Sequence, residues 1–221
     1  MGFDGWRREA FEAMATEGFA ARMQAIRQHV RPVLEALAES LAPDLSSWVG
    51  EPLYPHVAQH ARRTVNPPED TWCAWSASPR GYKKQPHFQL GIRVDQVYVQ
   101  AGAIHEAPFR SRLADLLVDR VGELQPTLPP EAEWKDDHTA PSGTPASALT
   151  DEVVAALAAG LRRKSRGDLM VSVRWPREQV LGLEPPRFLE LAGSALRRLI
   201  PVYELVREAE KEHAGLGLAR R

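Results

Sequence analysis

The stretch HFQLGIRVDQVYVQAGAI, His87 to Ile104, decides the fold. Phe88, Leu90, Ile92 and Val94 fall on one side, and His87, Gln89, Gly91 and Arg93 on the other. That alternation is the period of a β-strand. Asp95–Gln96 marks a hairpin turn, and Val97, Val99, Ala101 and Ala103 line one face of the returning strand. One apolar and one polar face suit an antiparallel sheet covered by helices on one side.

Working outward, TWCAWSA (Thr71–Ala77) reads as a further strand, separated from the hairpin by the loop SPRGYKKQP. It follows the rigid turn NPPED, Asn66–Asp70, because consecutive prolines hold an extended path. Asp168–Trp175 is another strand, with Leu169, Val171, Val173 and Trp175 on one face.

The flanks are helical. Residues 6–16 carry Trp6, Phe11 and Met14 on an apolar side. Phe19, Met23, Ile26, Val30, Val33, Leu37 and Leu41 recur at spacings of three and four, one face of a helix. Pro32 is expected to kink that helix or split it in two. Pro43–Pro55 reads as a connection with weak structure, Tyr54–Arg63 as a short helix or an extended segment, and Trp134–Pro145 as irregular. Pro108 opens a helix to about Leu124. Thr150 caps another, with Asp151 and Glu152 in its first turn and RRKSRG at its end. Pro185–Pro186 opens the last long helix, which Pro201 should bend. The tail is expected to fray from about residue 212. The expectation is a single α+β domain spanning 1–221, a meandering antiparallel sheet packed by N-terminal and C-terminal helices.

Composition bounds the function. The chain has 221 residues, net charge −1, 43% hydrophobic and 26% charged residues. These values belong to a soluble globular protein and argue against a nucleic-acid coat or a membrane-surface binder. Cys73 is the only cysteine, so no internal disulfide forms, which fits a reducing compartment. No apolar run approaches the ~20 residues that span a bilayer. The N-terminus has no continuous apolar stretch typical of a signal peptide. The expected location is cytoplasmic.

Several residues could carry chemistry. His56 and His60 lie four apart in HVAQH, and on a helix they would share a face and could hold a metal. Val57 stands where a zinc hydrolase would place its glutamate. Cys73 sits inside a strand, where a buried structural thiol is the plainer reading. Asp137 and His138, in KDDHTAPSG, could act in acid–base chemistry or simply form a solvated turn. No nucleophile elbow, phosphate loop or cofactor motif occurs.

The densest candidate lies between His60 and His87. It holds five basic side chains (Arg62, Arg63, Arg80, Lys83, Lys84) against two acids, Glu69 and Asp70. Arginine forks suit phosphate and carboxylate groups, and lysine adds point charge. Trp72, Trp75, Tyr82 and Phe88 offer flat apolar surfaces nearby. The same composition also describes the rim of a half-buried sheet.

The two-part signature HARRTVNPPEDTW and RGYKKQPHFQLGI resembles that of the YktB-like family, a bacterial domain of unknown function. GFAARMQAIRQHVRPVLEALAESLAP, the pair His105–Glu106 and the run Asp137–Thr139 are consistent with it, so the resemblance spans most of residues 15 to 206. Cys73–Ala74–Trp75, Arg93 and Gln100 depart from the family's more apolar pattern. The resemblance implies a compact α+β fold with a meandering antiparallel sheet. It carries over a location, the signature residues, and no catalytic role.

These readings converge on a binding domain for a phosphate- or carboxylate-bearing small molecule. Arg62, Arg63, Arg80 and Lys83 would contact the anion, Tyr82 and Trp75 would form the wall, and His87 would hydrogen-bond or move a proton. One alternative is an enzyme using His87 or His138 as general base, with Asp137 orienting it. Another is a nucleic-acid or protein-partner module. The enzyme reading requires His87 and His138 to face one cleft.

Overall fold

The computed structural model describes residues 2–163 and 167–218. The deciding hairpin forms as β3 (His87–Arg93) and β4 (Gln96–Ala103), with Leu90 opposite Val99. Around it lie β1 (Tyr54–Val57), β2 (Asp70–Ser76), β5 (Glu133–Lys135), β6 (Thr144–Pro145) and β7 (Leu169–Pro176). The spatial order is β1-β2-β3-β4-β7-β5-β6, and every neighbouring pair is antiparallel. The fold is thus the expected α+β type. Two further segments join the sheet: Tyr54–Val57, read as a short helix or an extended segment, is extended and pairs with β2, and Glu133–Lys135, in a stretch read as irregular, pairs with β7.

One face of the sheet is apolar. Trp75, Phe88, Leu90, Ile92, Val97, Val99, Val171 and Val173 are buried there. Helices α1 (Arg8–Ala15), α3 (Arg31–Val49), α6 (Arg177–Leu181), α7 (Pro185–Arg198) and α8 (Ile200–Leu218) pack against the sheet. The Trp75 indole donates 2.9 Å to the Ala38 carbonyl of α3, and the Phe88 ring stacks on Tyr203 of α8 with centroids 4.8 Å apart. Helix α4 (Arg110–Leu124) packs on α8, and α5 (Asp151–Arg162) packs on α4. Thr150 caps α5 as expected, its hydroxyl accepting from Val153 N–H at 3.4 Å.

Pro32 falls where the helix was expected to kink or split, while Pro43 and Pro201 act differently from their sequence reading. The turn before Pro32 is a π turn, Ile26–Val30, linking α2 (Phe19–Ala25) to α3. Pro32 sits in the first turn of α3, where a missing N–H costs nothing. Pro43 does not end the helix. Leu41, Leu45 and Val49 continue the buried stripe past it. Their burial outweighs the ~3 kcal/mol that an interior proline costs. The helix stops at Gly50, whose φ of 78° is left-handed and whose N–H bonds to Ser46. Pro201 separates α7 from α8 rather than bending one helix. The tail expected to fray from about 212 is helical through Leu218, with Glu212 paired to Arg112 of α4.

The second face of the sheet corrects the simplest reading of the alternation. It is polar but not solvated: Asp70, His87, Gln89, Gln100 and Ser172 are all buried. Tyr98 crosses this face and fills the space above Gly91, then hydrogen-bonds to Asp70 at 3.0 Å. A Cβ at Gly91 would lie 2.3 Å from the Tyr98 ring. Gly91→Ala should therefore displace Tyr98 and lower unfolding free energy by about 1–3 kcal/mol in urea titrations. Gly122→Ala in α4 meets no neighbour. It should raise stability by about 0.5–1 kcal/mol.

Candidate functional site

Strand register builds the site. Ala103 of β4 faces Leu169 of β7, and Lys135 of β5 faces Met170 on its other side. Asp168, at the head of β7, therefore stands between the ends of two neighbouring strands. Its Oδ1 accepts the His105 backbone N–H at 2.7 Å and meets His105 Nδ1 at 3.2 Å. Its Oδ2 accepts the His138 backbone N–H at 2.8 Å and meets His138 Nδ1 at 2.6 Å. One buried carboxylate thus holds two imidazoles. Burial pushes the Asp168 carboxyl up, but hydrogen bonds and charge at His138 outweigh it and keep the group below the ordinary aspartate range.

Both histidines border a cavity of about 450 Å³. Trp72, Tyr82 and Ile104 supply its apolar wall, and His60, Arg62, Arg63 and Lys83 reach it from the loops. The Trp72 indole donates to the Tyr82 hydroxyl at 2.9 Å, which fixes the two rings together. The His60 and His138 rings each meet Trp72 edge-on, with centroids 5.5 and 5.7 Å away. Lys83 lies 3.5 Å from Glu106 Oε1, and His105 Nε2 lies 3.3 Å from Glu106 Oε2. A smaller hollow of about 230 Å³ shares His105 and His138 and includes Asp168 and Gly167.

The buried polar face anchors the His138 loop. Gln100 and Lys135 both donate to the His138 carbonyl, at 3.2 and 3.3 Å. Arg93 donates to the Thr139 carbonyl at 2.8 Å, and Gln96 to the Pro141 carbonyl at 2.6 Å. Burial lowers the Lys135 ammonium to about 8. Burial likewise raises the Asp70 carboxyl, despite Arg93 beside it.

Of the residues singled out from sequence, Arg62, Arg63, Tyr82, Lys83 and His138 meet at this cavity. Trp75 does not; it is fully buried on the opposite, helix-covered face. Arg80 is exposed in the turn before Tyr82 and lies outside the cavity wall. His87 shares the polar face with the site but is buried beneath it. Its Nδ1 meets the Gln85 carbonyl at 2.8 Å and its Nε2 the Gln89 amide at 3.0 Å. The one-cleft requirement therefore fails for His87, whose ring nitrogens are both engaged internally, and stands for His138. Asp137 does not orient His138. It closes its own turn, accepting from Thr139 N–H at 2.8 Å, and Asp168 takes the orienting place. His56 and His60 share no helix: His56 is in β1 and meets the Ser78 carbonyl at 2.9 Å, while His60 lies in a loop 3.0 Å from the Thr71 hydroxyl. Cys73 is buried on the apolar face, and burial raises its thiol far from the reactive range.

Asp168, and the joint placement of His105 with it, were not legible as a site. The available signal is that Gly167–Asp168 precedes an apolar strand and His105 follows one. Polar residues at the ends of central strands are where antiparallel neighbours converge.

A single-domain α+β protein with a histidine–carboxylate cavity at one end of its sheet is the class these features define. The chain belongs to the family described as a domain of unknown function, DUF1054, whose model matches residues 6–203. It is 34% identical over 201 residues to a UPF0637 protein of Bacillus velezensis, covering 91% of this chain and 96% of that one. A UPF0637 protein of Bacillus cytotoxicus is 34% identical over 195 residues, covering 88% and 94%. A Bacillus cereus relative of the same designation is 35% identical over 195 residues, with the same coverage. Among the described residues, no helix is long and apolar enough to cross a membrane.

Burial holds both His60 and His87 down to about 4, well below an ordinary imidazole. Between about pH 6.5 and 4 the unfolded chain binds protons that the native fold refuses. Stability should therefore fall as pH drops through that window. His87→Gln should flatten the fall by about one proton per molecule in urea titrations at pH 7, 6, 5 and 4.5. An unchanged slope would show that His87 is not held neutral.

Proposed function

We propose that the cavity beside Trp72 binds a small molecule carrying a phosphate or carboxylate group. The observation that carries this reading is the gathering of Arg62, Arg63 and Lys83 around one hollow with a flat, fixed aromatic wall. Arginine supplies a planar donor fork for an oxyanion, and lysine a movable charge. Trp72 and Tyr82 offer ring surface to an apolar or planar part of the same ligand. Glu106 lies 3.5 Å from Lys83 and holds it at the rim.

A second reading, catalysis on that ligand, is favoured by His138. Its Nδ1 is held by Asp168 at 2.6 Å, and its Nε2 makes no hydrogen bond among the described residues. A ring held at Nδ1 by a carboxylate, with Nε2 free toward the cavity, is the arrangement a general base needs.

Thermal-shift titration with phosphate, pyrophosphate, citrate and adenosine diphosphate tests the binding reading. At least one anion should raise the melting temperature saturably. Arg62→Ala and Lys83→Ala should each weaken that anion by roughly 10- to 100-fold, the worth of a charge-assisted hydrogen bond. Arg80→Ala, outside the cavity, should leave it unchanged. If no anion stabilises the protein, or if Arg80→Ala weakens binding as much as Lys83→Ala, the reading is wrong.

A further inference from the structure

We propose that His105, His138 and Asp168 form a binding site for a divalent first-row transition-metal ion, independent of whether the neighbouring cavity takes an anion. Each residue offers one donor atom, and the three atoms lie within 4.8 Å of one another. Metal–nitrogen and metal–oxygen bonds of ~2.0–2.2 Å bring such atoms to separations of roughly 3–3.5 Å. Ring shifts of about an ångström or less therefore complete the triad. Two imidazoles and one carboxylate are a ligand set that such ions take with positions left open. The 230 Å³ hollow bordered by all three residues gives an ion and its water a route in.

Glu106 provides the second observation. Its Oε2 is buried, has no hydrogen-bond partner among the described residues, and lies 3.3 Å from His105 Nε2 but out of line for a hydrogen bond. The ring shift that completes the triad would also be free to align the two. With an ion on Nδ1, the proton sits on Nε2 and donates to Glu106. Metal-bound histidines ordinarily give their other ring N–H to such a carboxylate. Lys83, 3.5 Å from Glu106 Oε1, then completes the chain from ion to rim. The ion would take the place of a proton on each Nδ1, and in a neutral ring that proton moves to Nε2, so the histidines bind the ion without losing a proton.

The other candidates lack this convergence. His56 and His60 are each committed to separate protein groups.

Metal-stripped protein is titrated with Zn²⁺ by calorimetry, and with Co²⁺ by visible absorption, in a buffer free of phosphate and carboxylates. One ion per chain should bind, saturably. Asp168→Asn and His105→Ala should lose at least 100-fold in affinity, and Glu106→Gln, which removes no ligand, should lose about 10- to 100-fold. His56→Ala should bind as wild type. Should His105→Ala or Asp168→Asn fail to fold, Glu106→Gln decides: unchanged affinity in it overturns the assignment. The absence of saturable binding to the wild type also overturns it. Neither result touches the anion reading, since no anion is present.

Discussion

A sheet buried on both faces, one of them polar, must find a partner for each polar group it hides. Leaving such a group unpaired costs about 1–3 kcal/mol, while pairing it gains less. Asp70 meets Tyr98 and Arg93; Gln89 meets His87 and Gln100; Gln100 and Lys135 meet the His138 carbonyl. The partners furthest from the strands are backbone carbonyls of residues 138–141. Satisfying the sheet therefore dictates where that loop lies, and with it where His138 stands. The site is a consequence of polar bookkeeping in the fold rather than a separate addition to it.

The period-two pattern in His87–Ile104 made the central hairpin legible, because alternation sorts side chains between faces whatever covers them. It could not tell which polar face is solvated. His87 and Gln89 look in sequence like surface residues on a solvent face, and only the covering loops bury them. The short strands were less legible: Tyr54–Val57 could be read as helix or extended chain, and β5 and β6 were missed, because two to four residues carry too little pattern. Pro43 was misread because an interior proline has a local cost that the buried stripe Leu41, Leu45 and Val49 overrides from afar.

The site was half legible for a related reason. Arg62, Arg63, Tyr82 and Lys83 are clustered in the chain, so composition alone located them. His105, His138 and Asp168 are separated by more than 60 residues end to end and meet only through the register of β4, β5 and β7. Asp137 was the natural partner for His138 by adjacency. Neighbours in a turn rarely face each other, however, and its carboxylate serves the turn itself. Trp75 was placed in the pocket by its company with Trp72 and Tyr82. Three positions along a strand put it on the other face from Trp72, under α3.

The two halves of the site differ in how firmly they are held. Asp168, His105 and His138 sit at strand ends, each tied by backbone as well as side-chain hydrogen bonds. The Arg62–Arg63 segment is exposed, and among the described residues the Arg63 side chain reaches only the Asn66 carbonyl, at 3.5 Å. Just before it, His60 takes a φ of 51°, a left-handed conformation that costs a non-glycine residue about 1–2 kcal/mol. Contacts to Thr71 and Trp72 hold the ring there. The strained residue thus fixes where the basic segment leaves the sheet while leaving the arginines themselves little constrained. Rigid groups beneath an adaptable charged rim suit a division of labour. Under the proposed function, the strand ends would supply atoms whose placement must be exact, and the loop would supply charge free to close on an oxyanion.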